Sequence, residues 1–197
     1  MKRSVAAGVL WPDASQDRAF ASLRVALCKL HGAEGGVVNA TMHEVSLASD
    51  ATVDVEESRA VARQLLDPSH GARDGEQPGP GAIGALSADL LPDWQEEWVQ
   101  LEAESWRQLR MRALEALAGR LTAEQRYGDA ATAALTAVAA DPLRETSRAS
   151  LIRVHLAEGN QSEALREYRR YEDVLGSELG LRPTAKLVRL LHGLSVQ

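Results

Sequence analysis

From Trp94 onward, apolar residues return every three or four positions: Trp94, Trp98, Leu101, Leu109, Ala113, Leu117 and Leu121. Glu, Gln and Arg occupy most positions between them, so the pattern predicts one long amphipathic helix. Asp93 and Glu96, three apart and just after Pro92, form a capping-box start for it. The period breaks at Gln125-Arg126-Tyr127-Gly128-Asp129, and the run from Ala130 to Ala140 is almost free of large side chains. Small residues let helix axes approach closely, so residues 89–142 predict a long helix, a tight turn and an Ala-rich helix folded back on it. Trp94, Trp98 and Trp106 stand on the long helix, where they are expected to serve the core rather than a ligand.

Shifting the chain by thirty-four residues places Leu117 on Leu151, Leu121 on His155, Gln125 on Gly159, Tyr127 on Gln161, Ala130 on Ala164, Ala134 on Tyr168 and Ala137 on Tyr171. That is the period of a tetratricopeptide helical hairpin, whose units bury their open faces on one another. His155 and Gln161 depart from the pattern, since large apolar residues are usual there. Asn160 with Glu163 predicts a further capping box, Gly180 a stop, and Pro183 the first residue of a last helix ending at Leu194. Tyr168 and Tyr171 are candidates for a partner-binding concave face, or else for core positions with the hydroxyl reaching water. Arg166, Arg169 and Arg170, interleaved with Glu167, Glu172 and Asp173, predict a solvated helix face.

The front of the chain patterns differently. Ser4–Trp11 predicts a short helix stopped by Pro12, and Asp13 with Gln16 opens a second helix running to about His31. Ala19, Leu23, Ala26, Leu27 and Leu30 make its apolar stripe, with Cys28 expected on a buried face. Arg18, Ser22, Val25 and Lys29 make another face, with Arg24 at its edge. After a Gly-rich break, Val37–Ala40 and Val45–Leu47 predict two short strands around Thr41-Met42-His43-Glu44. Helix, turn, helix and hairpin is the order of a winged helix, whose second helix enters the major groove; a plain packing face fits the same pattern. Val55–Leu66 predicts another helix. Asp67–Gly84, rich in Gly and Pro and without an apolar face, predicts a mobile loop, with His70 exposed on it.

Composition narrows the function classes. The 197 residues allow one medium domain or two small ones, and the abundance of Ala and Leu favours a mostly α fold. One cysteine allows no disulfide framework, which suits the cytoplasm. No leader pattern opens the chain, and no apolar run approaches a membrane span. Residues 1–31 carry five Lys or Arg against two Asp, whereas 53–197 carry seventeen against twenty-three Asp or Glu, the whole of the net charge of −6. A slightly basic head on an acidic body is compatible with nucleic acid at one end only. The five histidines, at 31, 43, 70, 155 and 192, show no metal-ligand spacing, and neither a phosphate loop nor a nucleophile elbow is present. No catalytic site, metal or cofactor is therefore expected, and an enzyme is not.

The segments LWPDASQDRAFASLRVALCKLHG, VDVEE, LLPDWQEEWVQLEAESWRQLRMRALEALAGRL and RETSRASLIRVHLAEGNQSEALREYRRYEDVLGSELGLRPTAKL resemble the SARP family. These actinobacterial activators couple a response-regulator-type winged helix to a bacterial transcriptional activator domain. The resemblance covers nearly the whole chain apart from the Gly/Pro-rich insert. It implies a partial winged-helix DNA-binding domain over residues 1–50, with Ser15–His31 the recognition helix and Val37–Leu47 the wing. It implies an activator domain over 53–197, with its loop at 67–84. By the same resemblance Arg18, Ser22, Arg24 and Lys29 are the candidate DNA contacts of the helix. Lys2, Arg3 and the wing-tip Thr41 and His43 are candidate phosphate holders. The implied partners are double-stranded promoter DNA, read as direct repeats, and RNA polymerase, with a homodimer or pairing with a full-length relative. Family members precede the LWPD segment with a small β-sheet and a first helix, and here the chain starts just before the second helix. An N-terminally truncated head is thus expected, whether through a fragment, a misassigned start, decay of the DNA reader or a first helix lent by a partner chain. Two function classes remain: a DNA-binding transcriptional regulator, and an interaction module that works through its helical repeat without touching DNA.

Overall fold

The structure, a computed structural model, describes residues 1–32, 36–67 and 80–192. The chain divides into two compact units, Met1–Val53 and Asp54–Gln197.

The first unit comprises α1 (Arg3–Leu10), α2 (Gln16–Gly32), β1 (Val38–Ala40) and β2 (Val45–Leu47). The strands pair antiparallel, with Val38 opposite Leu47 and Ala40 opposite Val45. Ahead of α1 the chain runs beside β2: the Val45 amide donates to the Met1 carbonyl, and the Arg3 amide to the His43 carbonyl, each at 2.9 Å. Ala6 and Ala7 of α1 meet Ala19, Leu23 and Leu27 of α2 in a small core, closed by Trp11, Ala14, Val38 and Val45. The expected stripe thus holds at Ala19, Leu23 and Leu27, leaves Ala26 half-buried, and fails at its end, where Leu30 is 49% exposed. The reason is length. The eight residues of α1 cannot cover the seventeen of α2, so the last turn has no neighbour in α1. Cys28, expected on a buried face, is exposed.

The second unit is all helix among the described residues: α3 (Asp54–Leu66), α4 (Pro80–Ala85), α5 (Glu97–Ala123), α6 (Tyr127–Ala140), α7 (Glu145–Glu158), α8 (Gln161–Leu179) and α9 (Ala185–Leu190). The helices α5, α6 and α7 each pack on the next in sequence, α3 lies on α5, and α9 lies on α7. The two hairpins, α5–α6 and α7–α8, follow the thirty-four-residue period. Tyr127 and Gln161 are the first residues of the two second helices. Leu117 and Leu151 are both fully buried, as are Ala130 and Ala164. The turns match as well: Gln125 (φ +61°) and Gly159 (φ +88°) are left-handed at equivalent positions. The bare face of α6, with Ala130, Ala133, Ala134 and Ala137 all at 0% exposure, is what lets α5 and α7 close on it from two sides.

Several boundaries differ from expectation. The helix predicted from Trp94 starts at Glu97, and its cap residue Glu96 makes no side-chain capping bond. Trp106 is buried, Trp98 half-buried and Trp94 45% exposed; Leu101 is 69% exposed and Val99 takes the buried position. The phase is set by Trp106, Ala113, Leu117 and Leu121. Projected back at about 100° per residue it selects Val99 and turns Leu101 about 200° away. The Asn160–Glu163 cap forms, with the Asn160 side chain accepting from the Glu163 amide, and Gly180 ends α8 in a left-handed conformation. The last helix begins at Ala185 rather than Pro183 and ends at Leu190; residues 193–197 lie outside the described residues. Of the expected loop 67–84, residues 68–79, His70 among them, lie outside them too. Pro80–Ala85 is instead helical, because Ile83 and Leu86 bury their side chains in the core.

Glu167, placed by its sequence neighbours on a solvated face, is buried. It accepts from Arg148 Nη1 at 2.8 Å, with both side chains 7% exposed, and it also bonds Arg170. Arg166, Arg169 and Arg170 themselves are exposed.

Candidate nucleic-acid interface

The apolar stripe of α2 is fixed against α1 and the hairpin, which decides what the remaining faces present. Arg18, Ser22, Val25 and Lys29, spaced four, three and four apart, lie along one side. Arg18, Lys29 and Val25 are exposed, and Ser22 is half-buried. Arg24, one position before Val25, is exposed at the edge of that side. Among the described residues none of Arg18, Arg24 and Lys29 is held in an ion pair. At roughly 1.5 Å per residue, seventeen residues make a rod about 25 Å long.

The tip of the hairpin is a turn organised by Thr41. Its hydroxyl accepts from the Glu44 amide at 3.1 Å and from the His43 amide at 3.4 Å, while the Thr41 amide donates to the Glu44 carbonyl at 2.9 Å. Behind it, Arg3 donates from Nη1 to the Thr41 carbonyl at 3.2 Å. Thr41 and Arg3 therefore shape the tip, whereas His43, Met42 (83% exposed) and Lys2 project from it. The role of Arg3 as a brace was not apparent from sequence, because it depends on the pairing of residues 1–3 with β2.

In the second unit, Tyr168 and Tyr171 have different surroundings. Tyr171 is 2% exposed and donates its hydroxyl to the Leu143 carbonyl at 3.1 Å, with the Arg148 guanidinium 6.0 Å from its ring centroid. Burial, then the charge of Glu145, raises its pKa above the ordinary tyrosine value. It is a core residue here. Tyr168 is half-buried, with its hydroxyl 3.5 Å from Glu172, so only this ring offers surface. Sequence reasoning passed over Glu115, which accepts from Arg144 (3.0 Å), Thr146 (2.7 Å) and Ser147 (2.8 Å) and so ties α5 to the start of α7. Its partners are twenty-nine or more residues away, and no local pattern marks it.

Among the described residues no helix is long and apolar enough to cross a membrane. Comparison with curated proteins returns no match. Among solved structures the chain is similar to that of Mycobacterium tuberculosis EmbR in complex with a low affinity phosphopeptide. The two are 22% identical with a TM-score of 0.66. The likeness covers 98% of this chain and 54% of the other, so the chain spans about half the length of that relative. At that identity the likeness concerns the fold: a helical-repeat unit preceded by a small winged-helix-like unit. The bacterial transcriptional activator domain matches residues 81–194, which take in α5 to α9 and more than half of the chain. The chain belongs to the bacterial transcriptional activator domain family.

Proposed function

We propose that this chain is a DNA-binding activator whose α2 enters the major groove of promoter DNA while the wing tip holds the phosphate backbone. The observation that carries this reading is a helix with three cations, Arg18, Arg24 and Lys29, that have no ion-pair partner among the described residues and lie on sides that its own core leaves bare. Arg and Lys read guanine edges or hold phosphates, and a major groove about 12 Å wide admits one helix. Val25, 55% exposed between Ser22 and Lys29, is suited to a thymine methyl. His43 and Lys2 at the wing tip are placed in this reading as phosphate contacts, with Thr41 joining through its turn. Residues 1–50 are then the DNA reader. Residues 53–197 serve homodimerisation, or pairing with a full-length relative, and contact RNA polymerase, the half-buried Tyr168 offering its ring from that unit's second hairpin. The protein acts in the cytoplasm, without a cofactor and not as an enzyme.

The test is fluorescence anisotropy on labelled promoter duplex over a series of salt concentrations. Arg18→Ala and Lys29→Ala are expected each to weaken binding, and loss of a phosphate contact lowers the salt slope by about 1. Unchanged affinity and slope in both variants would refute the assignment. A second reading, a helical-repeat adaptor with no DNA binding of its own, draws on the acidity of residues 53–197. It is what remains if the wild-type chain gives no retardation of duplex at low salt.

A further inference from the structure

At the start of α5 the second unit keeps an apolar surface that its own core does not use. Trp94 and Leu101 are 45% and 69% exposed, and Leu91, held at φ +45°, is 38% exposed. The Trp94 and Trp98 rings meet edge to face at 6.2 Å, and the buried Trp98 Nε1 has no hydrogen-bond partner among the described residues. The Gln100 side chain holds the Trp94 carbonyl at 2.7 Å, so this segment is fixed rather than frayed. Beside it opens a cleft of about 280 Å³, walled by Leu90, Leu91, Pro92 and Ala103 and lined also by Gln100, Asp89, Glu104 and Arg107.

The sequence of this surface is acidic, and arginines from elsewhere neutralise only part of it. From Asp89 to Glu104 there are six acidic residues and no Lys or Arg. Arg110, Arg59 and Arg107 pair with Asp89, Glu102 and Glu104. Asp93, Glu96 and Glu97 have no ion-pair partner among the described residues, and all three are exposed. An aromatic and aliphatic patch rimmed by uncompensated carboxylates complements a chain segment that is apolar on one side and cationic on the other. A cation of the incoming segment suits the exposed face of Trp94, next in sequence to Asp93 and close to Glu96 and Glu97.

We propose that this end of α5 is a docking surface for a basic amphipathic segment of another protein. The proposal does not rest on the DNA reading, since every residue in it belongs to the second unit.

The full chain, with 15N-labelled tryptophan, is titrated with an amidated sixteen-residue helical peptide of Lys, Leu and Ala, and with the same peptide carrying Glu for Lys. The basic peptide is expected to shift the Trp98 indole signal and leave that of Trp106, whose Nε1 donates to the Ala88 carbonyl, in place. Trp94→Ala is expected to weaken binding by at least about tenfold, the loss typical of a central interface tryptophan. The combined Asp93→Asn, Glu96→Gln and Glu97→Gln variant is expected to weaken it and flatten its salt dependence. Leu101→Ser gives an independent check should Trp94→Ala lose its circular-dichroism signature of a folded helix bundle. Equal binding of the acidic peptide, no binding of the basic one, or unchanged affinity in folded Trp94→Ala or Leu101→Ser would overturn the proposal. So would sedimentation showing that the patch pairs two copies of this chain.

Discussion

Arg148 and Glu167 face each other across α7 and α8 with 7% of each side chain exposed, and the ring of Tyr171 lies against the guanidinium. Removing one member of such a pair strands the other in a poorly solvated site, which costs about 3–5 kcal/mol. Glu167→Ala is therefore expected to lower the urea midpoint sharply. Glu172→Ala, five residues on and exposed, should leave it nearly unchanged. Glu104 offers a pH test. Hydrogen bonds from Arg107 and then Gln108 bring its pKa from 4.5 down to about 2. A carboxylate depressed in the folded state adds stability above its ordinary pKa and loses that contribution as pH falls from 4.5 toward 2. The Glu104 side chain is 54% exposed, so solvent screens this contribution and the titration itself is the better readout. A carboxyl NMR titration should place its midpoint near 2, and Arg107→Ala should move it up toward the ordinary value. At Arg18 and Lys29 the sequence pattern showed which side chains share a face, because a four-three-four spacing depends only on helix geometry. It did not show that Arg3 is engaged in the wing turn, since that bond needs the fold of residues 1–3 onto β2.

The two hairpins of the second unit show how an element can be repeated in geometry while its sequence drifts. The left-handed turn residue is Gln125 in one and Gly159 in the other. A Cβ added at Gly159 meets nothing within 4 Å, so a substitution there pays only the torsional cost, roughly 1–2 kcal/mol. Gly159→Ala is expected to destabilise by about that amount, and Gln125→Gly to be neutral or stabilising, both measurable by chemical denaturation. On α6 the expected outcome is larger. Ala134 is fully buried between neighbouring helices, and enlarging it to Leu forces the axes apart at about 1–3 kcal/mol or more. The thirty-four-residue period and the bare face of α6 were readable because burial there recurs at fixed spacing. The first turn of the long helix was not, because Trp94 and Leu101 fit a three-or-four spacing without fitting the phase that Trp106 to Leu121 impose. A similar gap hid α4: Pro80–Ala85 reads as a Gly/Pro-rich loop until Ile83 and Leu86 find a core to enter.

Across the molecule, charge and construction separate two roles. The first unit exposes cations on α2 over a small core, and the second carries the entire net charge of −6 on a helical repeat. The acidic unit is a poor candidate for holding phosphates and a good one for holding proteins, which is the division of labour the activator reading requires. The most direct measurement is amide chemical-shift mapping of the 15N-labelled chain with promoter duplex at low salt. The account predicts perturbations confined to α2 and the wing tip, with Arg18, Ser22, Arg24, Lys29 and His43 among them, and helices α5 to α8 unmoved. Perturbations centred on α5 to α8, or none in the first unit, would contradict it.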